Sequence, residues 1–283
     1  MATLTELNFY PIKSCGAIAL REATLTPAGL MHDLIYDREW MVVDMQGNCM
    51  TQREYPALAR ITPRIYADGL KLRAPGMLEL EIPLDLPDPE HAPTLQVRVW
   101  DDTLIAYDCD AVTAHWFSQA LNVQCRLVRF HPHASRVTNT VWTAHADVPA
   151  LFSDGYPFLL ISQASLADLN QKLVAQDRAP LPMNRFRPNL VIDGVEAFEE
   201  DYIESLRIGE ATLKPVKPCA RCPIPSVDQV TGIVGPDPLD ILRSYRSNPK
   251  VDGGITFGMN ALLLSGAAQV VRLGQEIEIT LAF

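Results

Sequence analysis

No stretch of this 283-residue sequence is apolar for long enough to cross a bilayer. The most apolar segment, Pro157-Phe158-Leu159-Leu160-Ile161, ends after five residues, whereas a spanning helix needs about 20. The amino terminus, Met1-Ala2-Thr3-Leu4-Thr5-Glu6, lacks the basic run and apolar core of a secretory signal. Positive charge is also in short supply: 24 Lys and Arg stand against 34 Asp and Glu, a formal net charge of −10. An acidic surface repels a phosphate backbone, so neither nucleic acid nor a membrane is an expected partner, although one basic pocket remains compatible with that total. Cysteine is sparse, at positions 15, 49, 109, 125, 219 and 222, and only the last two are neighbours. Without a secretion signal, this usage predicts free thiols in a reducing, cytoplasmic setting rather than a disulfide framework. Internal repeats, heptads and low-complexity tracts are missing as well.

What is present is ordinary globular composition, 48% hydrophobic and 20% charged, enough to bury a real core. The first hundred residues read as strands and turns. Thr5–Tyr10 and Ile18–Leu25 flank the loop Pro11-Ile12-Lys13-Ser14-Cys15-Gly16. "REWMVVDMQGNCMTQ" predicts a hairpin turning at Gln46-Gly47-Asn48, and Asp68-Gly69 and Asp101-Asp102 mark two more. Short strands at this spacing predict a β-barrel or sandwich. Helical spacing then appears from Asp110, a cap, to Leu121, again from Ser162 to about Leu173, and briefly over Leu239–Tyr245. "HPHASRVTNTVWTAHADVPALFSDGYP" is a long polar loop of the kind that often carries function. Strands are expected over Cys125–Phe130, Asn189–Ile192, Ser205–Lys214, Asn260–Leu264 and Val270–Thr280. The chain is therefore expected to be mainly β with some helices (α+β), dividing into residues 1–120 and 121–283.

The loudest chemical signal is Cys219-Ala220-Arg221-Cys222, boxed by Pro218 and Pro223. Structural zinc usually draws on two such pairs or added histidines, and here there is one pair, with His32, His91, His115, His131, His133 and His145 showing no helical His-x-x-x-His spacing. A thioredoxin-like site needs a helix start, which Pro223-Ile224-Pro225 opposes. C-type haem attachment needs histidine where Pro223 stands. Two buried thiols in a rigid loop is the plainer alternative. Lys214, Lys217 and Arg221 nonetheless surround Cys219 in an otherwise acidic chain, and nearby cations favour the thiolate that attacks electrophiles or binds soft metals.

Three separated motifs resemble a known family. "FRPNLVIDG" together with "RIGEATLKPVKPCARCPIPSVDQVTG" resembles the MOSC domain, the module at the carboxyl end of molybdenum-cofactor sulfurases. "LNFYPIKSC" and "YDREWMVVD" resemble the β-barrel domain that precedes it in the subgroup containing the amidoxime-reducing components and their bacterial relatives. The resemblance covers nearly the whole chain and implies an N-terminal β-barrel-like domain plus a C-terminal MOSC β-barrel domain. It also implies a molybdenum cofactor, Mo-molybdopterin, with Cys219 as the protein's ligand to molybdenum and Cys222 as a structural neighbour. Pyridoxal phosphate is a further group associated with the wider superfamily.

The cofactor contacts implied by the family fall on Lys13 and Ser14, on Arg38, and on Arg187 and Asn189, with Gly155 and Tyr156 beside the metal and Phe257, next to Gly258, in a loop closing over the cofactor. Arg and Lys suit a phosphate dianion and Asn suits a pterin edge. Taken singly, Lys13 also reads as an exposed loop lysine, Arg38 as a partner of Asp37 or Glu39, and Arg187 as a side chain lying along its own helix. The implied activity is reduction of small N-hydroxylated substrates (amidoximes, hydroxylamines, N-hydroxylated bases), with Asp154 as proton donor if its pKa is raised. No cysteine cluster for an appended iron–sulfur domain occurs, and no anchor is expected ahead of the barrel motif. A separate electron-donor protein, a flavoprotein or an iron–sulfur or haem carrier, is then expected. Persulfide transfer by Cys219 and non-catalytic cofactor carriage are the alternatives.

Overall fold

The computed structural model describes the chain except residues 67, 68, 86, 87, 89, 145, 237 and 283; the expected turn residue Asp68 and His145 lie outside the described residues. Seven strands close into a barrel. In spatial order they are Phe158–Ser162, Leu190–Asp193, Ala2–Phe9, Glu276–Leu281, Ile203–Ile208, Ala211–Ala220 and Gly254–Ser265, the last returning to the first with Phe158 opposite Ala261. Closure removes the unpaired edges that an open sheet would present. The opening strand shows how sequence builds this: Ala2 and Leu4 point inward, a bulge between Leu4 and Glu6 resets the alternation, and Leu7 and Phe9 point inward again. Only the pair Phe158–Ser162 and Leu190–Asp193 is parallel among the barrel pairings. Parallel strands need a crossover, and the helix Gln163–Val174 supplies it, capped by Ser162, whose hydroxyl accepts from the Ser165 amide. Leu166, Leu169 and Leu173 bury one face of that helix in a cluster with Phe186 and Phe257.

The first half of the chain adds a sheet ordered Thr94–Val99, Asp102–Asp108, Cys125–Phe130, Trp40–Asp44, with the helix Ala111–Leu121 packed on it and capped by Asp110. A four-strand sheet (Val270–Arg272, Glu22–Thr26, Gly29–His32, Ile35–Tyr36) and a three-strand sheet (Thr62–Tyr66, Gly69–Arg73, Leu80–Pro83) complete it. One hydrophobic core runs through both halves, from Leu4 and Phe9 through Trp40 and Phe117 to Leu213 and Ala261. The division at 120/121 stays our proposal for the sequence units. They interlock, because the opening strand belongs to the barrel that the second half builds.

Three elements differ from expectation. The chain does turn back at Gly47, the Asp44 amide donating to the Asn48 carbonyl (3.0 Å) and the Met50 amide to that of Val42 (2.9 Å). The returning segment, however, forms an isolated bridge rather than a strand and also joins the neighbouring hairpin, its Cys49 amide donating to the Arg98 carbonyl (3.0 Å). Val270–Thr280 is two strands in two sheets, parted at Gly274 with its φ of 80°. The strand expected to end at Lys214 continues to Ala220, so Cys219 stands on a barrel strand rather than in a free loop.

Candidate functional site

The Pro11–Cys15 loop and the Asp37–Trp40 loop are laced together by main-chain bonds. The Arg38 amide donates to the Tyr10 carbonyl (2.7 Å), that of Trp40 to Pro11 (3.0 Å) and that of Lys13 to Trp40 (2.8 Å). This places Ser14 and Arg38 at φ of 66° and 54°, and Arg187 on the facing segment has 56°. Left-handed backbone at three non-glycine residues around one spot costs energy and is concentrated at functional sites. The side chains converge on a pocket of about 260 Å³ beside Cys219. Its lining includes Lys13, Ser14, Arg38, Asp154, Gly155, Tyr156, Arg187 and Asn189.

The pocket is cationic in an acidic protein. Lys13, Arg38, Arg53, Arg187, Lys217 and Arg221 line it against one carboxylate, Asp154. Lys13 is 4% exposed, so it is not a surface loop lysine; its Nζ donates to the Phe152 carbonyl (2.9 Å) and pairs with Asp154 (2.5 Å). Arg38 pairs with buried Asp37, as its position beside that residue suggested, and still faces the pocket. Glu39 pairs with Arg129 instead. Arg187 is different. Its guanidinium is buried, makes one long hydrogen bond, to Gln229 Oε1 (3.3 Å), and has no carboxylate within ion-pair distance among the described residues. Burial, then Arg38 beyond the Tyr10 ring, press its pKa below the usual value, against the pull of Tyr10 itself. The Tyr10 ring lies between the two guanidiniums, 4.3 Å from each, and burial pushes its phenol up to about 12. Such an arrangement holds two like charges close together and is relieved by an anion.

Cys219 lies at the pocket's edge with its Sγ 3.2 Å from Arg221 Nη1, which donates to it. Arg221 is held by the Phe186 carbonyl (2.7 Å), and its Nε is buried with no partner among the described residues. Two irregularities, between Pro215 and Lys217 and between Pro218 and Ala220, break the strand's alternation, so Lys217, Cys219 and Ala220 line this pocket whereas Lys214, Pro215, Val216 and Pro218 border a separate cleft with Tyr202 and Lys250. Of the three cations expected around Cys219, Lys214 is therefore not one. Cys222 also lines the pocket. The described residues hold no group of three or more His, Cys, Asp or Glu suited to a metal ion.

Three expected site residues have surroundings that the sequence did not show. Asp154 does not have the raised pKa of a neutral-pH proton donor: loss of water pushes the carboxyl up, but Lys13, Arg53 and Arg38 together pull it well below the usual carboxylate range. Its geometry makes it the partner of Lys13. Asn189 lines the pocket, yet its amide is already engaged, accepting from Arg38 Nη1 (3.1 Å) and the Leu159 amide (3.3 Å) and donating to the Asn8 carbonyl (3.2 Å). It therefore orients Arg38. Phe257 does not line the pocket; it sits in the Gly254–Ser265 strand, fully buried, with its ring 4.3 Å from that of Phe186, which does. The expected closing loop is a strand because Gly258, at φ 78°, lets it pass directly over Leu160 and Ile161.

Several pocket residues carry no motif signal. Arg53, Trp100 and Asn260 line the wall, and Gln52, fully buried, donates from Nε2 to the Ser14 carbonyl (2.6 Å). Arg136 stands behind the pocket. Its Nη1 donates to the Leu151 (2.8 Å) and Ser153 (2.6 Å) carbonyls while its Nε pairs with Asp102 (2.7 Å), so one guanidinium pins the Asp154 loop to the Trp100 hairpin. The polar tract read as a functional loop supplies these contacts.

Fold and pocket together define a class of protein: a closed barrel presenting a strand-end thiol to a cationic, aromatic-walled pocket suited to an anionic ligand. The chain belongs to the MOSC family, since the MOSC N-terminal beta barrel domain matches residues 1–124 and the MOSC domain residues 147–278. It is similar to the mitochondrial amidoxime-reducing component 1 of Mus musculus (38% identity, covering 87% of this chain and 72% of the relative). It is also similar to the human component 1 (36%, covering 87% and 72%) and to the molybdenum cofactor sulfurase of Danio rerio (34%, covering 91% of this chain and 31% of the relative). No helix among the described residues is long and apolar enough to cross a membrane.

Proposed function

We propose that this protein is a molybdenum-cofactor-dependent reductase of N-hydroxylated compounds, served by a separate electron-donor protein, with Cys219 as the protein ligand to the metal. The observation that carries this reading is the juxtaposition of a pocket-facing thiol with a buried guanidinium, Arg187, that has no carboxylate counter-ion among the described residues. The residues fit the group. A thiolate is the right donor for a metal already held by soft sulfur ligands. Arg187, Arg38 and Arg53 offer planar forks and Lys13 a point charge to an anionic phosphate, and the unpartnered Arg221 Nε adds a buried donor.

When bound, the molybdenum cofactor supplies two-electron chemistry at nitrogen-bound oxygen. The chain's own share is positional. Lys13, fixed by Asp154 and the Phe152 carbonyl, and Arg38, fixed by Asp37 and Asn189, set the charge of the pocket before any ligand enters. Arg221 orients the Cys219 sulfur by donating a hydrogen bond to it. With Asp154 paired to Lys13 as a carboxylate, the two protons that the reduction consumes come from solvent rather than from that residue.

The test is molybdenum content and benzamidoxime reduction, with an artificial electron donor, in protein from a cofactor-competent host. Wild type should carry metal and turn over; Cys219→Ser should lose about 10³-fold or more in rate, the scale seen when an essential group is removed. Full turnover by that variant, with an unaltered metal spectrum, would sink the assignment. The sulfurase relative favours one second reading, persulfide transfer through Cys219; it predicts a sulfane sulfur on that thiol and no reductase activity.

A further inference from the structure

Arg185 and Arg187 sit two residues apart, and the chain treats their charges differently. Arg185 is neutralised: its Nη2 pairs with Asp228 Oδ2 (2.8 Å) and its Nη1 donates to the Pro225 (3.2 Å) and Ser226 (3.1 Å) carbonyls. Arg187 meets the very next residue, Gln229, whose Oε1 accepts from Nη1 (3.3 Å) and brings no charge. Gln229 is in turn locked against the fully buried Gln52. Gln52 Nε2 donates to Gln229 Oε1 (3.1 Å), and Gln229 Nε2 donates back to Gln52 Oε1 (2.9 Å). Each amide directs its second N–H to a carbonyl, that of Ser14 for Gln52 (2.6 Å) and that of Val227 for Gln229 (3.0 Å). All four amide hydrogens are therefore used, and turning the Gln229 amide over would set its N–H groups against those of Arg187 and Gln52. Neither glutamine lines the pocket, so the pair stands behind Arg187.

We infer that Gln229, braced by Gln52, is a positioning residue that aims Arg187 into the pocket while leaving its charge for an anionic ligand. A carboxylate in the same place would hold the guanidinium more firmly and cancel much of its attraction for an anion. Asp37 and Asp154 already offset Arg38 and Lys13 in that way. The neutral amide keeps Arg187 as the buried pocket cation without a carboxylate partner among the described residues. The same pair joins Arg187 to the Ser14 carbonyl, so the cation and the left-handed loop opposite it are held in one register. This rests on the reading of the pocket as the seat of an anionic cofactor, and it adds the device that keeps one cation free for it.

The experiment uses the full chain in cofactor-free form, with inorganic phosphate as the probe and its affinity measured by calorimetry beside the melting temperature. Gln229→Met and Gln229→Glu both give up the bonds to Gln52 and Val227, so they share any loss of melting temperature and differ in charge. Gln229→Met, which frees the guanidinium but keeps its charge, should weaken phosphate binding roughly threefold to fivefold. Gln229→Glu should weaken it about tenfold or more, because it also cancels that charge. Arg187→Gln should cost more affinity than Gln229→Met, and adding Gln229→Met to it should change nothing further. Equal losses in the two Gln229 variants, no loss in Gln229→Met, or an undiminished effect of Gln229→Met without Arg187 would overturn the inference by making the residue merely structural. Wild type that binds no phosphate would end it as well. The reductase reading fails separately: protein that binds phosphate in this pattern, yet gains no molybdenum in a competent host and reduces no benzamidoxime, refutes that reading and leaves Gln229 its role.

Discussion

The Lys13–Asp154 pair carries the sharpest consequence at the scale of single residues. A carboxyl held below its ordinary value keeps its charge, and its contribution to the pocket, throughout the neutral range; that contribution is lost only as pH falls below the usual carboxylate value of about 4. Lys13 runs the other way. Burial lowers its pKa and Asp154 restores part of the loss, so removing Asp154 brings its deprotonation to lower pH. Asp154→Asn should therefore reduce activity without abolishing any acid limb between about pH 5 and 8, and should move the alkaline limb of the rate profile toward acid. Loss of an acid limb in that variant would return Asp154 to the role of proton donor.

Among the elements, the strand Gly254–Ser265 shows why the site is stiff. Gly258 has φ 78°, and a methyl group there would come within 2.7 Å of the Leu160 carbonyl oxygen and 2.6 Å of an Ile161 side-chain carbon. Both belong to the strand that closes the barrel, so neither clash is relieved by a flexible tip. Gly258→Ala should cost on the order of 2 kcal/mol and lower the melting temperature by several degrees in calorimetry. Because Phe257 next to it packs under Phe186, a pocket wall, the same variant should also loosen retention of the proposed cofactor.

For the whole molecule, the position of Ala2–Phe9 matters most. Its backbone bridges Leu190–Asp193 and Glu276–Leu281, and its Leu4, Leu7 and Phe9 fill the shared core. A fragment spanning 121–283 would leave two open edges and exposed apolar surface. It should be aggregated or protease-sensitive when expressed alone and regain its circular dichroism spectrum when co-expressed with 1–120. A stably folded, monomeric fragment would show that the opening strand is dispensable. The pocket is split in the same way, with Lys13, Arg38, Arg53 and Trp100 from one half and Arg187, Cys219 and Arg221 from the other.

The amino-acid order by itself determined the β class and the two capped helices at Asp110 and Ser162, because alternation and caps are local patterns, and it drew attention to Cys219 by its cationic neighbours. Lys13, Arg38 and Arg187 were pointed to only by the resemblance of contiguous motifs to a known family. Tertiary structure alone decided that Arg53, Trp100 and Arg136 belong to the same site, since they lie in separate segments that meet only when the barrel closes. It also decided which partners three motif residues meet. Asp154 met Lys13, Asn189 met Arg38, and Phe257 went under Phe186. A side chain's charge state and partner depend on what other strands bring within a few ångströms, and no reading along a single segment contains that distance.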